Sequence, residues 1–184
     1  MSLKDSVKKN IVELTRCSVS EYKDMPKLPL RVLCDNIRSL HNIGAIFRTA
    51  DAFRLDSIIL AGISGTPPHP EITKSALGAE DSVDWTHVGD ALEETKRLKR
   101  EGWTVCVLEQ AHNSVPLQDF KPAEAQNKLL LVVGNEVHGV DQRIVDIADV
   151  VLEIPQEGTK HSLNVSTSAA IALFHLYLLL TPNP

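Results

Sequence analysis

Lys128-Leu129-Leu130-Leu131-Val132-Val133-Gly134-Asn135-Glu136 begins the stretch that decides the fold. It is followed by Val150-Val151-Leu152-Glu153-Ile154-Pro155, a loop over residues 156–162 and an apolar run to Leu180. Two short runs of β-branched and aliphatic residues followed by one long apolar run predict strand, strand and helix. Glycine at a strand end admits a ligand close to the backbone, and the start of the next helix offers unpaired N–H groups. Crevices of this kind suit a polar, partly anionic small molecule.

Upstream the alternation continues. Leu30-Arg31-Val32-Leu33-Cys34 reads as a strand ending at Asp35, and a helix is expected from Asn42 with Ile43, Ile46, Phe47, Ala50 and Phe53 on one face. Residues 57–60 form the next strand. Residues 62–70, with two glycines and three prolines, form a loop. A short helix over 71–77, a short strand over 84–88 and a surface helix over 91–101 follow. Residues 103–108 then read as a strand covered on both faces, and 141–148 as the helix between the last two strands. This pattern predicts an α/β fold with a mainly parallel sheet, helices on both faces and right-handed crossovers. Before it, Leu3, Val7, Ile11 and Leu14 fall three to four apart and predict an amphipathic helix up to about Cys17. The expected organisation is a helical extension over 1–29 and one domain over 30–184.

The 184 residues suffice for one sizeable core, and 43% hydrophobic with 23% charged residues is the usage of a soluble globular protein. A net charge of -5 argues against a uniformly basic nucleic-acid surface. The first forty residues are nevertheless locally basic, with Lys4, Lys8, Lys9, Arg16, Lys23, Lys27, Arg31 and Arg38. The N-terminal helix therefore either packs on the body or carries lysines to phosphates. Cys17, Cys34 and Cys106 lack CxxC spacing, so neither a disulfide framework nor a zinc site is expected. That usage fits a reducing cytoplasm. The apolar run 169–180 is interrupted by His175 and falls short of the ~20 residues that span a bilayer. The seven histidines show no ligand spacing, and Gly134 to Gly139 lacks the Lys-Ser or Lys-Thr of a phosphate loop, so no metal is implied.

Three segments resemble one family in order. Asn42-Ile43-Gly44-Ala45-Ile46-Phe47-Arg48-Thr49-Ala50, the stretch from Leu130 to Val140, and Leu152 to Gln156 with Ser162-Leu163-Asn164-Val165-Ser166 look like the three motifs of the SpoU (TrmH-type) RNA methyltransferases of the SPOUT superfamily. The resemblance implies a C-terminal trefoil knot, S-adenosylmethionine as methyl donor, transfer to a ribose 2′-hydroxyl of RNA, and a homodimer built on the last helix and the first-motif helix. With too few residues before Leu30 for the extra RNA-binding domain of larger ribosomal members, tRNA is favoured over rRNA. Two rivals stay open, a non-enzymatic RNA-binding module and a small-molecule methyltransferase.

By the same resemblance Leu108, Gly134, Ile154, Ser162 and Leu163 line the donor pocket, while Arg48, Asn42, Glu136, Ser162 and Asn164 are catalytic. Ordinary readings stand beside these: core for the aliphatics, a tight turn for Gly134, helix caps for Asn42, Ser162 and Asn164, and a loop brace for Glu136. Arg48 interrupts an otherwise apolar segment and lies ~240° round the helix from Asn42. A guanidinium with a pKa above ~12 is a poor base, so Arg48 is expected to clamp a phosphate and acidify the 2′-hydroxyl, in its own or a partner subunit's site. Gln156 stands where many members have Met, which affects contacts through that side chain.

Overall fold

The computed structural model describes residues 7–10, 13, 14, 16–123 and 127–181. Ser18 starts the first helix, α1 (Val19–Asp24): its hydroxyl accepts from the Glu21 N–H, and the Glu21 carboxylate returns to the Ser18 N–H. β1 (Leu28–Asp35) leads into α2 (Leu40–Ala52) and then β2 (Leu55–Ala61). Two short helices, α3 (Pro70–Ala76) and α4 (Ala79–Ser82), precede β3 (Trp85–Val88), α5 (Ala91–Arg100) and β4 (Thr104–Leu108). After them come β5 (Val115–Pro116), a 3-10 turn at Leu117–Asp119, β6 (Leu129–Val133), α6 (Gln142–Ile147), β7 (Val150–Glu153) and α7 (Val165–Leu180).

The seven strands form one sheet in the order β3-β2-β1-β6-β4-β7-β5, and each neighbouring pair is parallel. Val107 pairs with Val132 on one side and Val151 on the other. The residues just beyond these three therefore reach the same edge of the sheet on adjacent strands, and this register builds the site described below.

Parallel strands joined by crossovers must be covered on both faces, and they are. One face packs Leu30, Val32, Cys34, Leu129, Leu131 and Val133 against α2 and α7; the other packs Leu33, Ile59, Val105, Val107, Leu130 and Val132 against α5 and α6. Every residue of β6 is at most 1% exposed, which accounts for its unbroken apolar run. α7 divides its apolar surface. Ala169, Ala172, Leu173 and Leu176 are buried, whereas Ile171, Phe174 and Leu178 are 42%, 49% and 52% exposed.

The expected α/β architecture with a mainly parallel sheet is the observed one, with element ends shifted by one to three residues. α2 begins before Asn42 because Ser39 accepts the Asn42 N–H and caps it. α7 begins at Val165, so Ser162 is a loop residue rather than a cap. The helix expected up to Cys17 falls partly on residues 1–6, 11, 12 and 15, outside the described residues. Where described it is not formed. Residues 7–10 carry no regular structure, and Asn10 and Glu13 exchange reciprocal bonds around one turn. Periodicity overstated the described part of this segment, where Val7 and Leu14 are 88% and 41% exposed rather than packed on the body. The N-terminal attachment comes from α1 instead, where Tyr22 is buried and its hydroxyl donates to the Asp51 carbonyl.

Candidate functional site

The turn after β6 is closed by its own backbone. Asn135 and Gly139 exchange two hydrogen bonds of 3.0 and 2.9 Å, while the Asn135 side chain accepts from the Val137 and His138 N–H groups and donates to the Asn36 carbonyl. This turn folds back over Gly134. A Cβ there would lie 2.1 Å from the Gly139 carbonyl carbon and 2.2 Å from the Val140 nitrogen. The missing side chain at Gly134 thus makes room for the protein's own chain, the tight-turn reading of that position. Gly139, at φ +69°, would place a Cβ 2.2 Å from the Glu109 carboxylate.

Glu136 leaves this turn and braces the start of α2. Its carboxylate accepts the N–H groups of Arg38 and Ser39, both at 3.0 Å, and the Asn42 side-chain amide at 3.1 Å. Partial burial pushes the carboxyl up. The bonds from Arg38, its own N–H, Ser39 and Asn42 outweigh that and hold it below the ordinary range. The Asn42 side-chain oxygen, Oδ1, in turn accepts from the Asn164 side-chain amide at 3.1 Å. Asn164 caps α7 through the N–H groups of Ser166 and Thr167. One chain of side chains, Glu136 to Asn42 to Asn164, therefore ties the turn after β6 to the first turns of α2 and α7. Asn42 is only 5% exposed, so this network satisfies an amide buried by the fold.

Beside the network lies a cavity of about 530 Å³ at the ends of β6, β4 and β7. Leu108, Gly134, Ile154, Ser162 and Leu163 all line it, with Glu136, Asn164 and Gln156. The five expected pocket residues are thus brought together. Of the expected catalytic set, Asn42 stands behind the wall, bonded to Glu136 and Asn164. Arg48 does not line the cavity. It is exposed on α2, and its side chain makes no hydrogen bond or ion pair to any described residue.

Residues 29–174 match the SpoU rRNA methylase family. The chain belongs to that family. A putative TrmH family tRNA/rRNA methyltransferase of Staphylococcus haemolyticus is 29% identical over 159 residues, covering 86% of this chain and 62% of the relative. This chain thus spans less than two thirds of that protein's length. Among solved SpoU-type structures, the A. aeolicus TrmH/SpoU tRNA modifying enzyme superposes with a TM-score of 0.76 at 27% identity, over 88% of this chain and 80% of that one. An AdoMet-bound rRNA methyltransferase from Sinorhizobium meliloti gives 0.76 at 26%, over 88% and 61%.

Outside the three SpoU-family motifs, the structure adds further contacts at the strand ends. Glu109 accepts the Val140 N–H at 3.1 Å and the Gln110 N–H at 2.9 Å, and the Gln110 amide donates to the His161 carbonyl at 2.7 Å. Asp35, 3% exposed at the end of β1, accepts the Asp141 N–H; burial raises its carboxyl above the usual range despite that bond and one from Asn36. A polar residue closing an apolar strand is the only sequence signal for either acid. Among the described residues no cluster of three His, Cys, Asp or Glu side chains can hold a metal, and no helix is long and apolar enough to cross a membrane.

Proposed function

We propose that this chain is an S-adenosylmethionine-dependent RNA methyltransferase acting on a ribose 2′-hydroxyl, with tRNA favoured over rRNA. The observation that carries the reading is the single cavity formed by the ends of β6, β4 and β7 within a SpoU-family fold. Its volume lies in the range of small-molecule sites, about 300–1,000 Å³. Its lining mixes aliphatic side chains from Leu108, Leu152, Ile154 and Leu163 with amide and hydroxyl groups from Asn164 and Ser162, which suits an adenine and a polar amino-acid end.

Leu108, Gly134, Ile154, Ser162 and Leu163 would hold the donor. The chemistry it supplies when bound is an electrophilic methyl carbon on sulfur. The protein contributes alignment, worth ~7–11 kcal/mol in well-oriented reactions. Glu136, Asn42 and Asn164 keep the cavity wall and the α2 start in register, so the ribose meets a rigid frame. Arg48, exposed and with no side-chain partner among the described residues, presents its planar fork to an RNA phosphate. Its positive charge then favours the ionised 2′-oxygen, and the proton passes to a phosphate oxygen or water.

RNA approach is supported by the exposed cations Lys8, Lys9, Arg16, Lys23 and Arg38. Lys27 and Arg31 are less available, since Lys27 lies over the Tyr22 ring and Arg31 pairs with Asp56 at 2.5 Å. The exposed apolar stripe Ile171, Phe174 and Leu178 supports a homodimer through α7, which brings Arg48 of one subunit toward the other's site. The C-terminal trefoil knot, the division at residue 29 and a cytoplasmic location belong to the same reading.

The test is incubation with methyl-labelled S-adenosylmethionine and unmodified bulk tRNA, rRNA or a metabolite pool, followed by nucleoside analysis. A labelled 2′-O-methylnucleoside from tRNA is expected. Label in metabolites alone, or RNA binding without transfer, contradicts the proposal.

A further inference from the structure

One wall of the cavity is the loop between β7 and α7, which supplies Gln156, Ser162 and Leu163 to the lining. Residues 155–164 are all exposed, and among the described residues the hydrogen bond from the Gln110 amide to the His161 carbonyl is the only one made by residues 156–163. That bond spans 51 positions in sequence and measures 2.7 Å. The anchor behind it is firm. The Glu109 N–H donates to the Leu152 carbonyl, and the Glu109 carboxylate accepts both the Gln110 and Val140 N–H groups. The Glu109-Gln110 pair that ends β4 is therefore fastened to the segments following both of its neighbouring strands.

We propose that Gln110 is a positioning residue for the donor site: its side-chain amide pins the 156–163 loop in the conformation that closes the cavity, so a ligand need not order that loop on binding. The inference rests on the methyl-donor reading above. A loop of this length held by one tie samples many conformations once the tie is cut, and the ligand then bears the ordering entropy. Loss of this neutral hydrogen bond should weaken ligand binding about three- to tenfold, equivalent to about 0.7–1.4 kcal/mol.

The experiment compares wild type with Gln110→Ala and Gln110→Glu, the second nearly isosteric but presenting an acceptor to the His161 carbonyl. Calorimetric titration with S-adenosylhomocysteine should show about three- to tenfold weaker binding in both. Trypsin, applied without ligand, should cut after Lys160 at least threefold faster in both variants than in wild type, and S-adenosylhomocysteine should slow that cut in wild type. Melting temperatures should match wild type, because Gln110 is exposed. In turnover, KM for the donor should rise with kcat and KM for RNA unchanged. Absence of heat with wild type overturns the methyl-donor reading itself. Wild-type heat with equal affinities in the variants overturns the role of Gln110 alone. Weaker binding with unchanged cleavage after Lys160 overturns it too, because Gln110 is then a direct ligand contact.

Discussion

Asn42 and Arg48 sit six positions apart on α2 and have opposite fates. Asn42 is 5% exposed and joins Glu136 to Asn164, whereas Arg48 is exposed and its side chain has no partner among the described residues. Asn42→Ala removes a donor from Glu136 and an acceptor from Asn164, and should lower stability by about 1–3 kcal/mol in urea unfolding. Arg48→Ala should leave stability within about 0.5 kcal/mol of wild type, as expected of an exposed side chain with no hydrogen bond or ion pair among the described residues. If the clamp holds, its methyl transfer should fall at least tenfold, and Arg48→Lys, which keeps the charge but loses the fork, should also lose turnover. Sequence marks both residues as candidates through the family motif. It does not separate them, because Ser39 is an equally good cap three positions earlier and burial of an amide leaves no local signature.

Among elements, the strands were readable where aliphatic or β-branched residues run together, as in Ile58–Ala61 and Leu129–Val133. Their spatial order was not. That β4 lies between β6 and β7, and so brings Leu108, Gly134 and Ile154 to one cavity, depends on crossovers that period and composition do not encode. Residues 109–123 hide a two-residue strand and a 3-10 turn, because elements this short have no period. The turn after β6 is the element on which the site's floor depends. Gly134→Ala would press a methyl group onto the Gly139–Val140 backbone, which Asn135 and Glu109 hold in place. It should cost about 1–3 kcal/mol in chemical unfolding and weaken donor binding at the same time.

For the whole molecule, net charge is a poor guide because it averages over a surface. The -5 total coexists with exposed Lys8, Lys9, Arg16, Lys23 and Arg38, and part of the basic N-terminal segment is used internally by Tyr22, Asp56 and Trp103. α7 poses the other question at this scale. Its uniform apolarity is split by the fold into a buried face and a face on which Ile171, Phe174 and Leu178 stay about half exposed, with Phe174 beside the Phe53 ring. Light scattering of the eluting protein should give twice the 20.2 kDa chain mass, and Leu178→Glu should halve it. A monomeric wild type at micromolar concentration would remove the dimer from the account.

The central claim is that neighbouring strand ends form the donor site. Amide hydrogen exchange with and without S-adenosylhomocysteine addresses it residue by residue. Protection concentrated in residues 108–110, 134–139 and 154–165, with the start of α2 following through Asn42, is the predicted result. No ligand-dependent protection there, or protection centred on another face of the sheet, would contradict it.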